Sequence, residues 1–298
     1  KALLTKQFGD WGKSTWTPPA MPPMPALTGN RVVFAPKNDV TQSGVVLAHL
    51  GFKADDPDLA NMDVLEQALG GGFQSRLFNL IRTQRGLAYA TGASAGSGFM
   101  RPGVFSALTL TRNDSVMVSL DLLRQEVTRI TLEPMGDAEL QRARDAVQNS
   151  LVFAFERPAQ VAFRAGFYEL AGYPADFLQR YQKSITEVTP QTLQAAGQRK
   201  IKPENMITVV VGKESEFDRP LSSIGPPVER IDITIPPPPS KVNAGAATPQ
   251  ALAQGHTWLK KASDLAGGAA AWAAVKTWRT ESEAGLTMQG QTMAMTCG

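Results

Sequence analysis

The chain has 298 residues, of which 43% are hydrophobic and 19% are charged, a composition that predicts a folded globular protein and not a disordered one. Its 30 basic and 27 acidic residues are spread along the whole sequence, so the small positive excess gives no support for nucleic-acid binding. No apolar run approaches the roughly 20 residues of a membrane-spanning helix, so no membrane span is predicted.

Both ends of the sequence suggest a piece of a longer protein. The first residue is Lys1 and not an initiator Met, and the last residues carry no helix stop or closing turn. Residues 1–10 contain no hydrophobic stretch of the signal-peptide type. The single cysteine, Cys297, excludes an intrachain disulfide and any thiolate-rich metal site.

The first predicted elements are an extended strap and two strands. Residues 16–25 are so rich in proline that they can neither continue a helix nor pair as a central strand. Residues 31–36 and 44–52 are rich in β-branched and apolar side chains, which favours strands. Residues 37–39 between them have turn chemistry, so we expect the two strands to pair with each other.

Two helices and a hairpin follow. Residues 58–69 place apolar side chains on one helical stripe that stops at a run of three glycines, 70–72. Residues 75–84 begin with a serine in the N-cap position and predict a second helix. Residues 89–97 and 103–112 are β-rich and are bridged by a Gly- and Pro-containing segment, which predicts a hairpin.

The rest of the chain is mostly helical before one more strand. Helical periodicity covers residues 115–132, 137–155, 158–171, 174–185 and 190–199, and residues 205–212 form an apolar strand. This order predicts an α+β fold, with an antiparallel-rich sheet and helices layered on one face.

We predict four regions along the chain. Residues 1–26 form a linker strap and residues 27–219 form the α+β domain. Residues 220–248 are a Pro-rich linker with a short strand-like segment. Residues 249–298 start with an Ala- and Leu-rich helix and continue with β-like sequence, and they are too few to complete a core, so they are interpreted as the beginning of a further, truncated domain.

Common catalytic patterns are missing from the sequence. There are only two histidines, His49 within a predicted strand and His256 near the last helix, and neither stands in a metal-ligand motif. A Ser/His/Asp mechanism would need one of these same histidines, and no nucleophile elbow is present. Ser97 and the glycines of residues 92–98 are interpreted as turn residues.

Residues 69–90, LGGGFQSRLFNLIRTQRGLAYA, carry a longer and more specific pattern. With Arg82 and Tyr89 seven positions apart, this stretch resembles the C-terminal, non-zinc half of the M16 zinc proteases, the pitrilysin and processing-peptidase type. The likeness extends more weakly from residue 8 to residue 212. The family's inverted zinc motif, His-x-x-Glu-His, is not present in the sequence.

The resemblance implies a half-site for peptide cleavage. The family pairs two similar halves, one of which holds zinc while the other presents an Arg and a Tyr to the peptide substrate. It therefore implies catalytic and substrate-binding roles for Arg82 and Tyr89, and substrate binding by Gly71 and Gly72. No cofactor is expected in this chain, and zinc is expected in the partner half, in the same polypeptide or a separate subunit. The chain alone is then expected to be inactive.

General chemistry is consistent with these roles and leaves alternatives open. A phenol such as Tyr89 can donate to an oxyanion, and a guanidinium such as Arg82 can hold a peptide carbonyl. The alternatives are a half-buried Tyr at a strand end and an Arg in a surface ion pair. At the level of the whole protein, the alternative is a catalytically inactive M16-like scaffold or peptide-binding subunit. The resemblance also implies a periplasmic or exported bacterial protein.

Overall fold

A computed structural model of the chain describes residues 2–12, 15, 17, 19, 22–24, 28–235, 248–275, 282–288 and 291–297. The chain forms two compact units, Lys1–Ile233 and Thr234–Gly298, and each is described by itself. Part of the predicted strap, and residues 236–247 of the predicted linker, lie outside the described residues. The predicted domain boundaries stay a prediction.

The described part of the first unit contains seven α-helices and eight β-strands. The helices are α1 (Ala2–Phe8), α2 (Leu59–Leu69), α3 (Val116–Leu132), α4 (Asp137–Ala154), α5 (Pro158–Leu170), α6 (Phe177–Thr186) and α7 (Pro190–Lys200). The strands are β1 (Arg31–Pro36), β2 (Gln42–Leu50), β3 (Phe52–Lys53), β4 (Ala88–Ser94), β5 (Ser97–Gly98), β6 (Val104–Arg112), β7 (Ile207–Gly212) and β8 (Val228–Arg230).

Six strands form the main sheet in the order β4-β6-β2-β7-β1-β8. The pairs β4–β6, β6–β2 and β2–β7 are antiparallel, whereas β1 runs parallel to both β7 and β8. The hairpin predicted around residues 98–102 is confirmed as the β4–β6 pair. The small strands β3 and β5 form a separate parallel pair, so Ser97 lies in a short strand and not in a turn.

The predicted pairing of the first two strands is wrong. β7 lies between β1 and β2, with Val33 opposite Val209 on one side and Val46 opposite Val209 on the other. β7 consists mostly of β-branched residues, which favour strands, and it has a neighbouring strand on each side. Turn chemistry at residues 37–39 reports only that the chain changes direction there.

The α-helices cover one face of the sheet, as predicted. Along β6, Phe105, Ala107 and Thr109 are buried, and the alternate residues Leu108 and Leu110 are exposed on the opposite face. The buried face packs mainly against α2 and α3, whose large apolar side chains complete the core. The predicted α+β class, with an antiparallel-rich sheet and a helical layer, is therefore confirmed.

The second unit contains two helices and a hairpin among its described residues. They are α8 (Pro249–Leu265), α9 (Gly268–Ala274), β9 (Ser282–Met288) and β10 (Gln291–Cys297). β9 and β10 pair antiparallel. Across both units, none of the described helices combines the length and the apolar character that crossing a membrane requires.

Candidate functional site

Arg82 lies on a short π-helix, and not on the regular α-helix predicted for residues 75–84. One α-helical turn follows Ser75, and the π-helix then spans Phe78–Gln84. Its inner side is fixed in the core by Ile81 and by the preceding Leu77, both fully buried. Wide π turns are rare in proteins and are frequent at functional sites. Arg82 itself is exposed.

Tyr89 lies at a β-bulge at the start of β4. The β4–β6 register shifts between Ala88, which pairs with Thr111, and Ala90, which pairs with Leu110, so Tyr89 is the additional residue. A bulge bends its strand and changes the direction of a side chain. Ala88 is buried, whereas Tyr89 is 69% exposed.

The π-helix and the bulge bring Arg82 and Tyr89 together on the surface. The Arg82 guanidinium carbon lies 5.7 Å from the centroid of the Tyr89 ring and 4.8 Å from that of Phe78. Phe73 packs edge-on against Phe78 at 5.0 Å between ring centroids. We call Phe73, Phe78, Arg82 and Tyr89 the aromatic–arginine cluster. The Phe78 and Tyr89 rings both lie within the distance at which a guanidinium is attracted to an aromatic face.

The two polar groups of this cluster have no bonding partner within the described part of the chain. There, neither the Arg82 guanidinium nor the Tyr89 hydroxyl makes a hydrogen bond or an ion pair with another residue. The alternatives of a half-buried tyrosine and of an arginine in a surface ion pair therefore do not match the geometry. The two groups present their donors to solvent side by side.

Gly71 and Gly72 directly precede Phe73 of the cluster in the chain. A side chain at Gly71 would meet Gln67, because an added Cβ would lie 2.5 Å from Gln67 Oε1. Gly72 and Phe73 line a cavity of about 290 Å³, whose other walls include Glu139 of α4. Because Gly72 has no side chain, its backbone atoms stay accessible at the edge of this cavity.

The sequence pattern did not indicate the two phenylalanines of the cluster. Phe73 directly follows the glycine run and is largely exposed, a position where an apolar residue has no core to fill. Phe78 lies within residues 75–84, for which the sequence predicts only a helix. It is half-buried and contacts both Phe73 and Arg82. The sequence contained one indication of this cluster, the apolar Phe73 directly after the three glycines that end the predicted helix.

His49, one of the two histidines, has a structural role in the fold. His49 is 6% exposed, stacks on Phe105, and accepts a hydrogen bond at Nε2 from the Lys202 backbone N–H. Its Nδ1 lies 2.8 Å from the Leu50 carbonyl oxygen, so the proton of the neutral ring is on Nδ1. Burial lowers the pKa of His49. His49 lies within a strand, β2, as predicted.

No metal centre is formed by the residues that the structure describes. Among them, no three His, Cys, Asp or Glu side chains come close enough together to hold a metal ion. His256 lies exposed on α8. The donor set of this chain therefore does not fit a zinc site in the described regions.

Comparison with solved structures defines the class of fold. The structure superposes on a peptidase M16 inactive domain from Pseudomonas fluorescens with a TM-score of 0.58 and 24% identity, over 65% of this chain and 46% of that one. It superposes on a protease from Helicobacter pylori with a TM-score of 0.61 and 18% identity, over 70% of this chain and 51% of that one. The first unit thus has the fold of M16 inactive domains.

The first half of the sequence resembles one protein family. Residues 1–147 match the family described as the peptidase M16 inactive domain. An uncharacterized zinc protease of Streptomyces coelicolor is 32% identical over 183 residues, 59% of this chain and 40% of the relative. One of Rickettsia felis is 31% identical over 138 residues, 46% of this chain and 32% of the relative.

Residues 1–147 thus match the M16 inactive-domain family in sequence, and the first unit has the corresponding fold. This confirms the resemblance drawn from residues 69–90. The chain spans only about two-fifths of the length of its Streptomyces relative.

Proposed function

We propose that this chain is the non-zinc half of a zinc-dependent endopeptidase, and that Arg82 and Tyr89 hold the peptide substrate and stabilise the transition state. The observation that supports this proposal is the contact of the Arg82 guanidinium with the Tyr89 ring, with the polar ends of both side chains free in the described structure. The relatives named as zinc proteases support the reaction class.

The two side chains have different chemical tasks in this proposal. The Arg82 guanidinium offers a planar set of donors that can hold a peptide carbonyl in a fixed orientation. The Tyr89 hydroxyl donates a hydrogen bond to the oxyanion that forms when the scissile carbonyl is attacked. Contact with the guanidinium limits the motion of the phenol ring, so the donor is positioned before the substrate arrives.

Gly71 and Gly72 are proposed to hold the substrate backbone. Without side chains they let an extended peptide approach the main chain closely. The exposed Phe73 ring and the neighbouring cavity can receive a substrate side chain.

Zinc belongs to the partner half in this proposal. When bound there, the metal supplies Lewis-acid activation of water and of the scissile carbonyl. The partner is an active M16 half, either fused to this chain or a separate subunit. The relatives are longer than this chain, which is consistent with a second half in the same polypeptide.

A second candidate function is a catalytically inactive scaffold or peptide-binding subunit. The description of the matched family as an inactive domain favours it. The two candidates differ in Tyr89: a scaffold does not need its hydroxyl, whereas a protease half does.

Reconstitution with a zinc-bearing M16 half tests the proposal. The chain alone should not hydrolyse fluorescein-labelled β-casein, and the mixture should do so in a zinc-dependent way. Tyr89→Phe should lower kcat on the order of 10²-fold, the loss typical of one oxyanion donor. Tyr168→Phe is the matched control, because that half-buried ring packs in a separate aromatic group. Wild-type kcat in the Tyr89→Phe mixture would favour the scaffold.

Export to the periplasm is also proposed, on the family resemblance alone. Cell fractionation of the source organism with an antibody against the chain tests it. Recovery of the protein in the cytoplasm would contradict it.

A further inference from the structure

A second pocket lies on the helix-covered side of the main sheet. It has a volume of about 180 Å³ and is lined by residues of α3, β2 and β7 and by the segment just before β1. Strands β6 and β2 separate β7 from β4, the strand that carries Tyr89. The pocket is therefore separate from the aromatic–arginine cluster, and its function does not depend on that proposed above.

The pocket contains an arginine that has no ion-pair partner among the described residues. Arg124 is half-buried on α3, and its Nη2 donates one hydrogen bond, of 3.1 Å, to Thr208 Oγ1. Burial lowers the pKa of Arg124, which the charge of Asp121 opposes. Asp121 itself forms an ion pair with Arg219. No carboxylate among the described residues forms an ion pair with Arg124, so its charge is partly desolvated and is offset only by the more distant charge of Asp121.

Two further donors lie in the same pocket. Asn30 Oδ1 accepts a hydrogen bond of 2.9 Å from the Met206 backbone N–H, which fixes the amide and leaves its NH₂ group available to donate. The Thr128 hydroxyl also lines the pocket and has no hydrogen-bond partner among the described residues. Arg124, Asn30 and Thr128 thus supply donors, and none of the described residues that line the pocket is acidic. The site has the chemistry of an anion-binding site.

The remaining walls decide which anion fits. Leu47, Val127 and Met206 are buried apolar residues that line the same space. A phosphate ion would place some of its oxygens against these walls, at the cost of lost hydration. A carboxylate with a short apolar tail avoids that cost, because its two oxygens face the donors and its tail faces the walls. The volume equals that of about six water molecules at roughly 30 Å³ each, which suits a molecule of butyrate size.

We propose that this pocket binds a short aliphatic carboxylate, held by Arg124 together with Thr128 and Asn30. The carboxylate is either a free short-chain acid or the C-terminus of a peptide that ends in a small apolar residue. Both sources present the same chemistry to the pocket, and they can be distinguished by using butyrate and acetyl-alanine as separate probes.

Calorimetric titration of the 298-residue chain tests the proposal. Butyrate or acetyl-alanine should give a saturable heat of binding at constant ionic strength, and inorganic phosphate should bind more weakly than the better of the two. Arg124→Gln should weaken binding about tenfold or more, because a hydrogen-bonded charge is lost. Arg142→Gln, which changes an exposed arginine of α4 outside this pocket, should bind like the wild type.

A second variant keeps the test valid if Arg124→Gln does not fold. Asn30→Asp replaces an exposed amide with a carboxylate of the same shape, keeps the acceptor for Met206, and should repel the ligand. Tighter binding of butyrate than of acetyl-alanine assigns the pocket to a free acid, and the reverse assigns it to a peptide terminus. Lack of saturable binding by both probes, stronger binding of phosphate, or wild-type affinity in the folded variants would overturn the proposal.

Discussion

Tyr181 on α6 donates a hydrogen bond to the carboxylate of Asp63 on α2, and this contact lies within the helical layer. Burial raises the pKa of Asp63 to about 6; the hydrogen bond from Tyr181 opposes this, and the negative charge of Glu66 adds to it. The carboxylate is therefore ionised at neutral pH in a place that disfavours its charge. The hydroxyl of Tyr181 has its own pKa raised by burial and by the same carboxylate.

Asp63→Asn is expected to stabilise the protein at pH 7. The pKa of Asp63 is higher in the folded protein than the unfolded value of 3.8, so the folded state binds this proton more tightly. Protonated Asp63 therefore stabilises the fold fully below pH 4, and this stabilisation is lost as the pH rises through about 6. Asparagine keeps the shape and an acceptor for Tyr181 and removes the charge. The free energy of unfolding should rise on the order of 3 kcal/mol at pH 7 and change little at pH 4.

Urea denaturation at pH 7 and at pH 4 measures this effect. Asp10→Asn is the control, because Asp10 is exposed, and it should leave the unfolding free energy within about 0.5 kcal/mol of wild type. A loss of stability in Asp63→Asn at pH 7, or an equal gain at both pH values, would contradict the argument.

The segment that carries Arg82 is tied to α4 by an ion pair between Arg76 and Glu139. Arg76 Nε and Nη2 donate to the two carboxylate oxygens at 2.7 and 2.9 Å, and the side chains are only 12% and 27% exposed. The carboxylate raises the pKa of Arg76. Arg76 Nη1 is buried without a hydrogen-bond partner in the described structure, so this guanidinium depends on Glu139 for its compensation.

Glu139→Gln should therefore destabilise the protein by about 3 kcal/mol, the effect of leaving one charge of a largely buried pair uncompensated. The midpoint of urea denaturation measures it. Glu187→Gln is the matched control, since Glu187 pairs with Lys183 on the surface at 61% exposure and should contribute less than about 1 kcal/mol. Equal effects of the two substitutions would show that the Arg76–Glu139 pair has no special structural role.

Arg82→Lys is expected to weaken peptide binding about tenfold, because the ammonium keeps the charge and loses the planar pair of donors. Fluorescence anisotropy with fluorescein-labelled β-casein and the 298-residue chain measures it. Arg85→Lys is the control, since Arg85 is also exposed and follows the π-helix. Equal affinity of Arg82→Lys and wild type would remove the binding role of the guanidinium, whatever the outcome of the kcat experiment with Tyr89→Phe.

Local sequence patterns predicted the elements whose neighbours are close in the chain. The β4–β6 hairpin follows from two β-rich runs joined by a Gly- and Pro-containing segment, and the helices follow from apolar periodicity. The place of β7 could not be predicted in this way, since its partners β1 and β2 are far away in sequence. Only the tertiary structure shows that a distant strand separates two consecutive ones.

The candidate site was predicted in its residues and not in its geometry. The family resemblance indicated Arg82 and Tyr89. It did not indicate that a π-helix and a β-bulge bring the two side chains together. Both irregularities depend on where backbone hydrogen bonds form, which apolar periodicity does not encode. The pocket at Arg124 was not predicted either, because its donors come from two segments that are far apart in the sequence, α3 and the residues just before β1.

The glycines at positions 70–72 differ in the space around them, which the sequence does not show, and this difference can be tested. Gly70 caps α2 with its N–H bonded to the Glu66 carbonyl oxygen. A Cβ at Gly70 would lie 2.2 Å from the backbone nitrogen of Ala93 in β4, whereas a Cβ at Gly72 would meet only the side-chain nitrogen of Gln67, at 3.2 Å. The end of α2 can thus touch the β4 backbone only when residue 70 lacks a side chain.

Gly70→Ala should lower the free energy of unfolding by about 2 kcal/mol or more, because the added methyl group must push β4 away from α2. Since β4 carries Tyr89, the variant should also bind labelled β-casein more weakly. Gly72→Ala should change stability by less than about 1 kcal/mol, as the Gln67 side chain can move aside. Urea denaturation and anisotropy of the two variants measure both effects. Equal stability of the two would mean that α2 and β4 can separate without loss, and that the position of Tyr89 does not depend on this contact.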